Sequence, residues 1–460
     1  MHSMFLIAGK ELRTSVRSVR FAVVVLIVVP LFLSATILGA NKIAFLEQSY
    51  HDTLRQQAES FGAIETFYPL LFIRVAAYRP PNPLAVIGAG VTTLTGDTFF
   101  QYNCQNPPSL QTELIHNPLQ RLHGEWDLLT IVGVVIGFLA LLVSYDSFSG
   151  EKRDGTIRQL CCAPVRRTAI VLGKVLGLTL TLAVPLLLAA VLSGLAIFFI
   201  IPAHSDRVLP ELAALCGMAV LYAAVFTSLG VAISALIHRP FRTLISLLAI
   251  WILLVFAIPQ LVTYIAASSH PALSDEETSE RYAAVSNEFY RFVMGLRESH
   301  PDPIDRMSAW FEGTKNYQRQ LRLISSDANN RLLRQEGTAW AWCWVSPTFA
   351  TTLSMTTLFG TNPAAEVRNE EEIWDSLARY TGYLQTRFVA DMEEAAHAGR
   401  RELRTYPGGV PWGEMPKPTF HKPSAAARWT SAVVGALILL AWLAVLLTCA
   451  LLLVRRYDPR

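Results

Sequence analysis

Val175-Leu-Gly-Leu-Thr-Leu-Thr-Leu-Ala-Val-Pro-Leu-Leu-Leu-Ala-Ala-Val-Leu-Ser-Gly-Leu-Ala-Ile-Phe-Phe-Ile-Ile201 contains no charged side chain and no histidine. A helix crosses a ~30 Å hydrocarbon core in about 20 residues, so this stretch is long enough to span a bilayer. Working outward from it, five more stretches qualify: Phe21–Ala40, Asp127–Tyr145, Leu212–Ile237, Thr243–Ile265 and Trp429–Val454. Their interiors also lack Asp, Glu, Lys, Arg and His. One charge at a helix centre costs about 2.5–3.5 kcal/mol to insert, so such runs enter a membrane readily. The whole chain agrees, with 16% charged residues where a soluble domain carries about 25%. The pattern predicts an all-α polytopic membrane protein with six transmembrane helices. Pro30, Pro185 and Pro259 lie inside spans, where neighbouring helices can satisfy the freed carbonyls.

Charged flanks set the expected orientation. Lys10, Arg13, Arg17 and Arg20 precede the first span, and Lys152, Arg153, Arg158, Arg166, Arg167 and Lys174 separate the second from the third. Arg239 and Arg242 follow the fourth, and Arg455, Arg456 and Arg460 follow the sixth. The link from Pro202 to Glu211 offers only Arg207. Basic flanks stay inside, so residues 1–20, a cytoplasmic amphipathic helix, and the tail 455–460 are both expected in the cytoplasm. The first span is read as an uncleaved anchor, because its run exceeds a signal-peptide core and no A-x-A site ends it. A net charge of +3, with its basic residues at span ends, argues against a nucleic-acid partner.

This topology leaves two long extracytoplasmic pieces, 41–126 and 266–428, expected to form a mainly helical domain. Ser274 and Glu277 make a capping-box pattern. Trp374, Leu377, Thr381, Leu384, Phe388 and Met392 recur at helical spacing and predict one buried face of a long helix. The Pro-rich stretch Tyr406–Pro423 reads as an extended return to the membrane. The acidic runs 275–277 and 370–372 read as solvated helix starts. Cys104 and Cys343 both fall outside, where disulfides persist, and are candidates for a bridge between the two pieces. The ten histidines show no metal-ligand spacing, so no metal site is expected.

The informative polar segment is the loop 146–174. It begins Asp146-Ser-Phe-Ser-Gly150-Glu-Lys-Arg-Asp-Gly155-Thr-Ile-Arg-Gln-Leu160-Cys-Cys-Ala-Pro164. Gly150 and Gly155 permit sharp turns, and Thr156 to Cys162 can form a short helix that Pro164 stops. Such a helix can dock in a partner's groove. By residues alone, an ordinary basic turn explains the segment equally well.

The pattern Tyr145-Asp-x-x-Ser-Gly-Glu-x-x-x-Gly-Thr-Ile-Arg-x-Leu160, followed by Pro164-Val-x-Arg167, resembles the coupling-helix region of ABC type-2 exporter permeases. Ala8-Gly-Lys-Glu-Leu-Arg13 is similar to the interfacial helix of a subgroup with enlarged outer loops. Arg79-Pro-Pro-Asn-Pro-Leu84 and Trp344-Val-Ser-Pro347 are similar to that subgroup's loop motifs. Cys161-Cys162 departs from the Leu, Ser or Asn more typical there. The resemblance implies a permease subunit that pairs with a second copy or a similar permease in a prokaryotic inner membrane. It also implies that Gly150, Glu151, Arg153, Gly155, Thr156 and Arg158 contact a cytoplasmic ATPase subunit, which binds the ATP and magnesium.

The chain has no Walker pattern of its own. Only Gly9-Lys10-Glu11 and Gly173-Lys174-Val175 approach it, without the upstream Gly or the following hydroxyl residue. An enzyme is therefore not expected. Three alternatives stay open. An ion-coupled transporter or channel usually carries ionisable residues within its spans. A membrane-anchored enzyme needs a catalytic constellation outside. An envelope-assembly protein would pass force through the outer loops.

Overall fold

The computed structural model describes residues 2–62, 64–72, 75–92, 99–103, 109–111, 127–156, 165–399, 414–421 and 424–456. Among the described residues six helices are long and apolar enough to cross a membrane, and the protein is an all-α polytopic membrane protein. We label the helices α1 (His2–Val16), α2 (Val19–Gly62), α3 (Leu128–Thr130, through a π-helical stretch Ile131–Ile136, to Gly137–Ser144) and α4 (Ser149–Arg153). Next come α5 (Arg167–Ile200), α6 (Ser205–Leu236) and α7 (Pro240–Ile252, π-helical Leu253–Ala257, then Ile258–Ser269). The remainder are α8 (Asp275–Ser299), α9 (Pro303–Trp342), α10 (Pro347–Phe359), α11 (Pro363–His397) and α12 (Ala425–Arg456).

The spans are α2, α3, α5, α6, α7 and α12. Protein buries 67% of the most apolar window in the α3 and α6 spans, against 11% in α12. The bundle therefore has α3 and α6 at its centre, while α12 presents most of its surface outward. Helix α1 and the last turn of α12 share one end of the bundle. Arg167, opening α5, donates to the carbonyls of Val454 (3.0 Å) and Arg455 (2.7 Å). Gly173 and Gly177 let α1 lie directly on the same helix: a Cβ at 177 would stand 2.7 Å from Glu11 Cβ and 2.8 Å from Ala8 O. Small residues four apart are the usual device for close helix approach in membranes.

Helix α2 outruns its apolar stretch. Its 44 residues at 1.5 Å rise are about 66 Å long, more than twice the hydrocarbon thickness. The apolar pattern ends near Ala40, but residues 41–61 contain neither Gly nor Pro, so nothing stops the helix before Gly62. Phe61 at its tip is 5% exposed and enters a second core at the far end of the molecule.

Both long non-spanning segments build that second core. Leu70 and Leu71 come from the first, and Phe311, Leu321, Leu377 and Leu384 from the second. The Tyr380 hydroxyl donates to Leu70 O at 2.9 Å. Five of the predicted amphipathic residues, Trp374, Leu377, Thr381, Leu384 and Phe388, are buried in α11, and Met392 packs against the same core. Ser274 caps α8 by accepting from Glu277 N at 3.0 Å, while the Glu277 carboxylate pairs with Arg281. Antiparallel α9 and α11 are zipped by Gln318–Thr381, Arg322–Asp375 and Asn329–Glu370. Glu370, in the acidic run 370–372, is thus an internal tie rather than a solvated helix start. A small antiparallel sheet, β1 (Val75–Tyr78), β2 (Phe99–Tyr102) and β3 (Ser109–Gln111), in the order β1-β2-β3, completes this layer. Of the Pro-rich return, residues 416–421 have no regular secondary structure, and most of the rest lies outside the described residues.

The segment 266–428 contributes to two different cores. The chain carries no charge between Glu336 and Glu366, and α10 from this stretch packs within the span core through Met355, Leu358 and Phe359. The polar groups at its entry are each satisfied. Ser346 caps α10 by accepting from Phe349 N (3.2 Å) and donates to Leu254 O at 2.6 Å. That carbonyl needs a donor because the π-helical register would have paired it with residue 259, a proline without an N–H. Tyr222 donates to Gly133 O and pairs with Thr348, both at 2.7 Å.

The other motif segment meets α10 at its far end. Asn82 donates to Phe359 O at 2.9 Å, and Val91 N donates to Thr361 O at 2.9 Å. Gly90 sits at φ +52, and a Cβ there would lie 2.4 Å from Thr361 O. Arg79 pairs with both oxygens of Glu366 at 2.7 Å. Thus Arg79–Leu84 and Trp344–Pro347, far apart in sequence, hold opposite ends of one inserted helix.

Candidate functional site

The polar loop after α3 is held from two sides. On one side, the Ser234 hydroxyl of α6 accepts from Phe148 N (3.0 Å) and Ser149 N (2.9 Å). A hydroxyl from another helix thereby satisfies the free N–H groups that open α4. Lys152 donates to Ala235 O on the same helix. Gly230 of α6 leaves room for Ser144, which a Cβ there would strike at 1.9 Å.

On the other side stands Lys174 of α5, 2% exposed. Its Nζ donates to Glu151 Oε1 at 2.7 Å, to Glu11 Oε1 at 3.0 Å and to Ser147 O at 3.0 Å. An ammonium has three donors, so all three are used. The ring of Phe148 lies 5.2 Å below the charge, a favourable face for a cation. Burying an ammonium is costly unless it is paired and hydrogen-bonded, and this site supplies both. One side chain thereby joins α1 through Glu11, α4 through Glu151, and its own helix α5. Beside it, Arg20 at the start of α2 pairs with Asp146 at 2.8 Å.

The expected contact residues separate in space. Gly150 is helical within α4, its carbonyl accepting from Asp154 N at 2.9 Å, so it makes no sharp turn. Glu151 faces inward to Lys174. Gly155 makes the sharp turn, at φ +72, a region only Gly enters without penalty. Arg153, Asp154, Gly155 and Thr156 are exposed together on that turn. The Arg153 guanidinium donates to Asp154 at 2.8 Å and holds that carboxyl below the usual range by this hydrogen bond. Arg158, Cys161 and Cys162 lie outside the described residues, as does Cys104, while Cys343 is 3% exposed.

In the sequence Lys174 stands as a basic flank and in an incomplete phosphate-loop pattern. One signal was present: Lys174 follows Gly173 in a Gly-x-x-x-Gly pattern, which marks a helix-contact face. A lysine on such a face requires a carboxylate from the helix that covers it.

The model of the family described as ABC-2 family transporter protein matches residues 5–458. The chain belongs to the ABC-2 transporter family. Over 109 residues it is 31% identical to the Pseudomonas aeruginosa protein named "Probable ABC transporter permease protein NosY". That match covers 24% of this chain and 40% of the relative, well under two thirds of the relative's length. The protein is thus a multi-pass membrane protein of the ABC-2 transporter family. The anchored turn sits where the sequence resembles a coupling helix.

Proposed function

We propose that this permease is the membrane-spanning subunit of an ATP-driven exporter, powered by a separate cytoplasmic ATPase chain that binds ATP and magnesium. One observation carries the reading: an exposed turn, Arg153 to Thr156, projects from a five-residue helix anchored to α6 and α5 on opposite sides. A turn so held passes a push into the bundle instead of flexing. Arg153, Gly155, Thr156 and Arg158 are the docking residues, while Gly150 and Glu151 support them from within. The basic end is cytoplasmic by the positive-inside rule, in the inner membrane of a prokaryote. A second copy or a similar permease completes the transporter.

Co-purification with the ATPase tests this. Arg153→Glu combined with Gly155→Val should lower recovery of the ATPase about tenfold, equivalent to ~1.4 kcal/mol, while the permease itself still folds. Unchanged recovery would sink the docking assignment.

One observation favours a second use of the same stroke. Helix α2 runs unbroken from Arg20, paired with the loop at Asp146, to Phe61 in the far core. That continuity suits transmission of force to the outer domain. A flexible Gly-Gly-Ser insertion after Gln48 should abolish outer-domain movement and leave ATPase recovery unchanged if force travels this way.

A further inference from the structure

We propose that Lys174 is the positioning residue that makes α1 and α5 move together with the docking turn; this rests on the exporter reading above. Three observations carry it. First, the contacts differ in kind. The interface of α1 with α5 is close-packed, with Gly173 and Gly177 against Ile7, Ala8 and Glu11, and needs no charge to persist. The link of α4 to that pair, in contrast, runs through Lys174 Nζ, at 2.7 Å from Glu151 and 3.0 Å from the carbonyl of Ser147.

Second, the ammonium is saturated and dry. All its donors are used, its side chain is 3% exposed, and breaking the pairs would leave the buried ammonium desolvated. A displacement of α4 therefore draws Lys174, and with it α5 and α1, instead of opening a gap. Third, the geometry has a direction. Glu11 and Glu151 approach one nitrogen from two different elements, so Glu151 cannot travel with the turn away from Glu11 without drawing Lys174 along. Neutral amides at those positions would keep the packing and lose the tether.

The test measures relative movement on the complex of permease and ATPase in lipid nanodiscs. Spin labels at Thr14 on α1 and Asp154 on the turn, both exposed, report their separation before and after ADP–vanadate trapping. In the wild-type background the separation stays constant while the ATPase closes. In Lys174→Met/Glu11→Gln/Glu151→Gln, which leaves no unpaired charge to unfold the protein, trapping shifts it by about 2 Å or more, the scale of interface helix shifts. Lys174→Met alone, if it folds, behaves the same way.

A separation in the neutral triple variant that stays as constant as in the wild type overturns the proposal. So does a wild-type separation that already changes on trapping. Failure of the ATPase to co-purify with the wild-type permease is a different result, and strikes the exporter reading itself.

Discussion

Two buried charge clusters sit at opposite ends of the same bundle and are built differently. At the basic end, Lys174 has three oxygen partners within 3.0 Å. Toward the other end, Arg428 of α12 reaches Glu211 of α6 at only 3.4 Å and Leu358 O at 3.2 Å. There Glu211 Oε2 and Arg428 Nε are buried with no hydrogen-bond partner. The ammonium of the first cluster is saturated and the guanidinium of the second is slack, although Glu151 Oε2 and Ser147 Oγ in the first are also buried without a partner. The contrast teaches that burial alone does not make a charge pair tight; what differs is how many close partners the cation itself has.

The comparison breaks first at the saturated cluster. Lys174→Met leaves Glu11 and Glu151 facing each other without a cation and should destabilise the bundle by about 3–5 kcal/mol, read from unfolding titrations in mixed micelles. A loss below ~1 kcal/mol would mean that the carboxylates find water or protons easily. Gly177→Leu strikes the same place through packing. Its Cβ would meet Glu11 Cβ at 2.7 Å, and overfilling of this kind costs about 1–3 kcal/mol. Faster proteolysis within α1 is the expected signature.

The slack cluster should yield less. A double-mutant cycle on Glu211→Gln and Arg428→Met is expected to give a coupling energy under about 1 kcal/mol. A cycle on Lys174 and Glu151 should approach ~1.5–3 kcal/mol, as for hydrogen bonds to charged groups. Equal values would erase the distinction. Smallest is Tyr222→Phe, which removes a hydroxyl paired with Gly133 O and Thr348. Hydrogen bonds between membrane helices average about 0.6 kcal/mol, and the same unfolding titration should register a loss of that size.

Much of the bundle was legible from residue order. Six uncharged runs announced six spans, the start of α8 followed from its cap, and the buried face of α11 from periodicity. The extension of α2 beyond Ala40 was missed because hydropathy reports the solvent of a helix, not its end; only the lack of Gly or Pro before residue 62 hinted at it. The packing of α10 against the spans is not legible in the sequence because the uncharged stretch around it is shared with the end of α9 and does not read as a span of its own. The docking loop was legible as a motif, yet its support was not. Gly9-Lys10-Glu11 and Gly173-Lys174-Val175, both set aside as failed phosphate loops, turn out to hold the carboxylate and the ammonium that meet.

The sequence by itself determined that this protein lives in a membrane, how many times it crosses, and which flanks are basic. These are properties of windows of about 20 residues, in which transfer free energy sums locally. Only the tertiary structure decided that Lys174 is a buried junction, that α10 belongs among the spans, and that Arg79–Leu84 clasps its end. Those facts depend on distances between residues up to 287 positions apart, as for Arg79 and Glu366, and on which polar groups remain unsatisfied until a remote partner arrives.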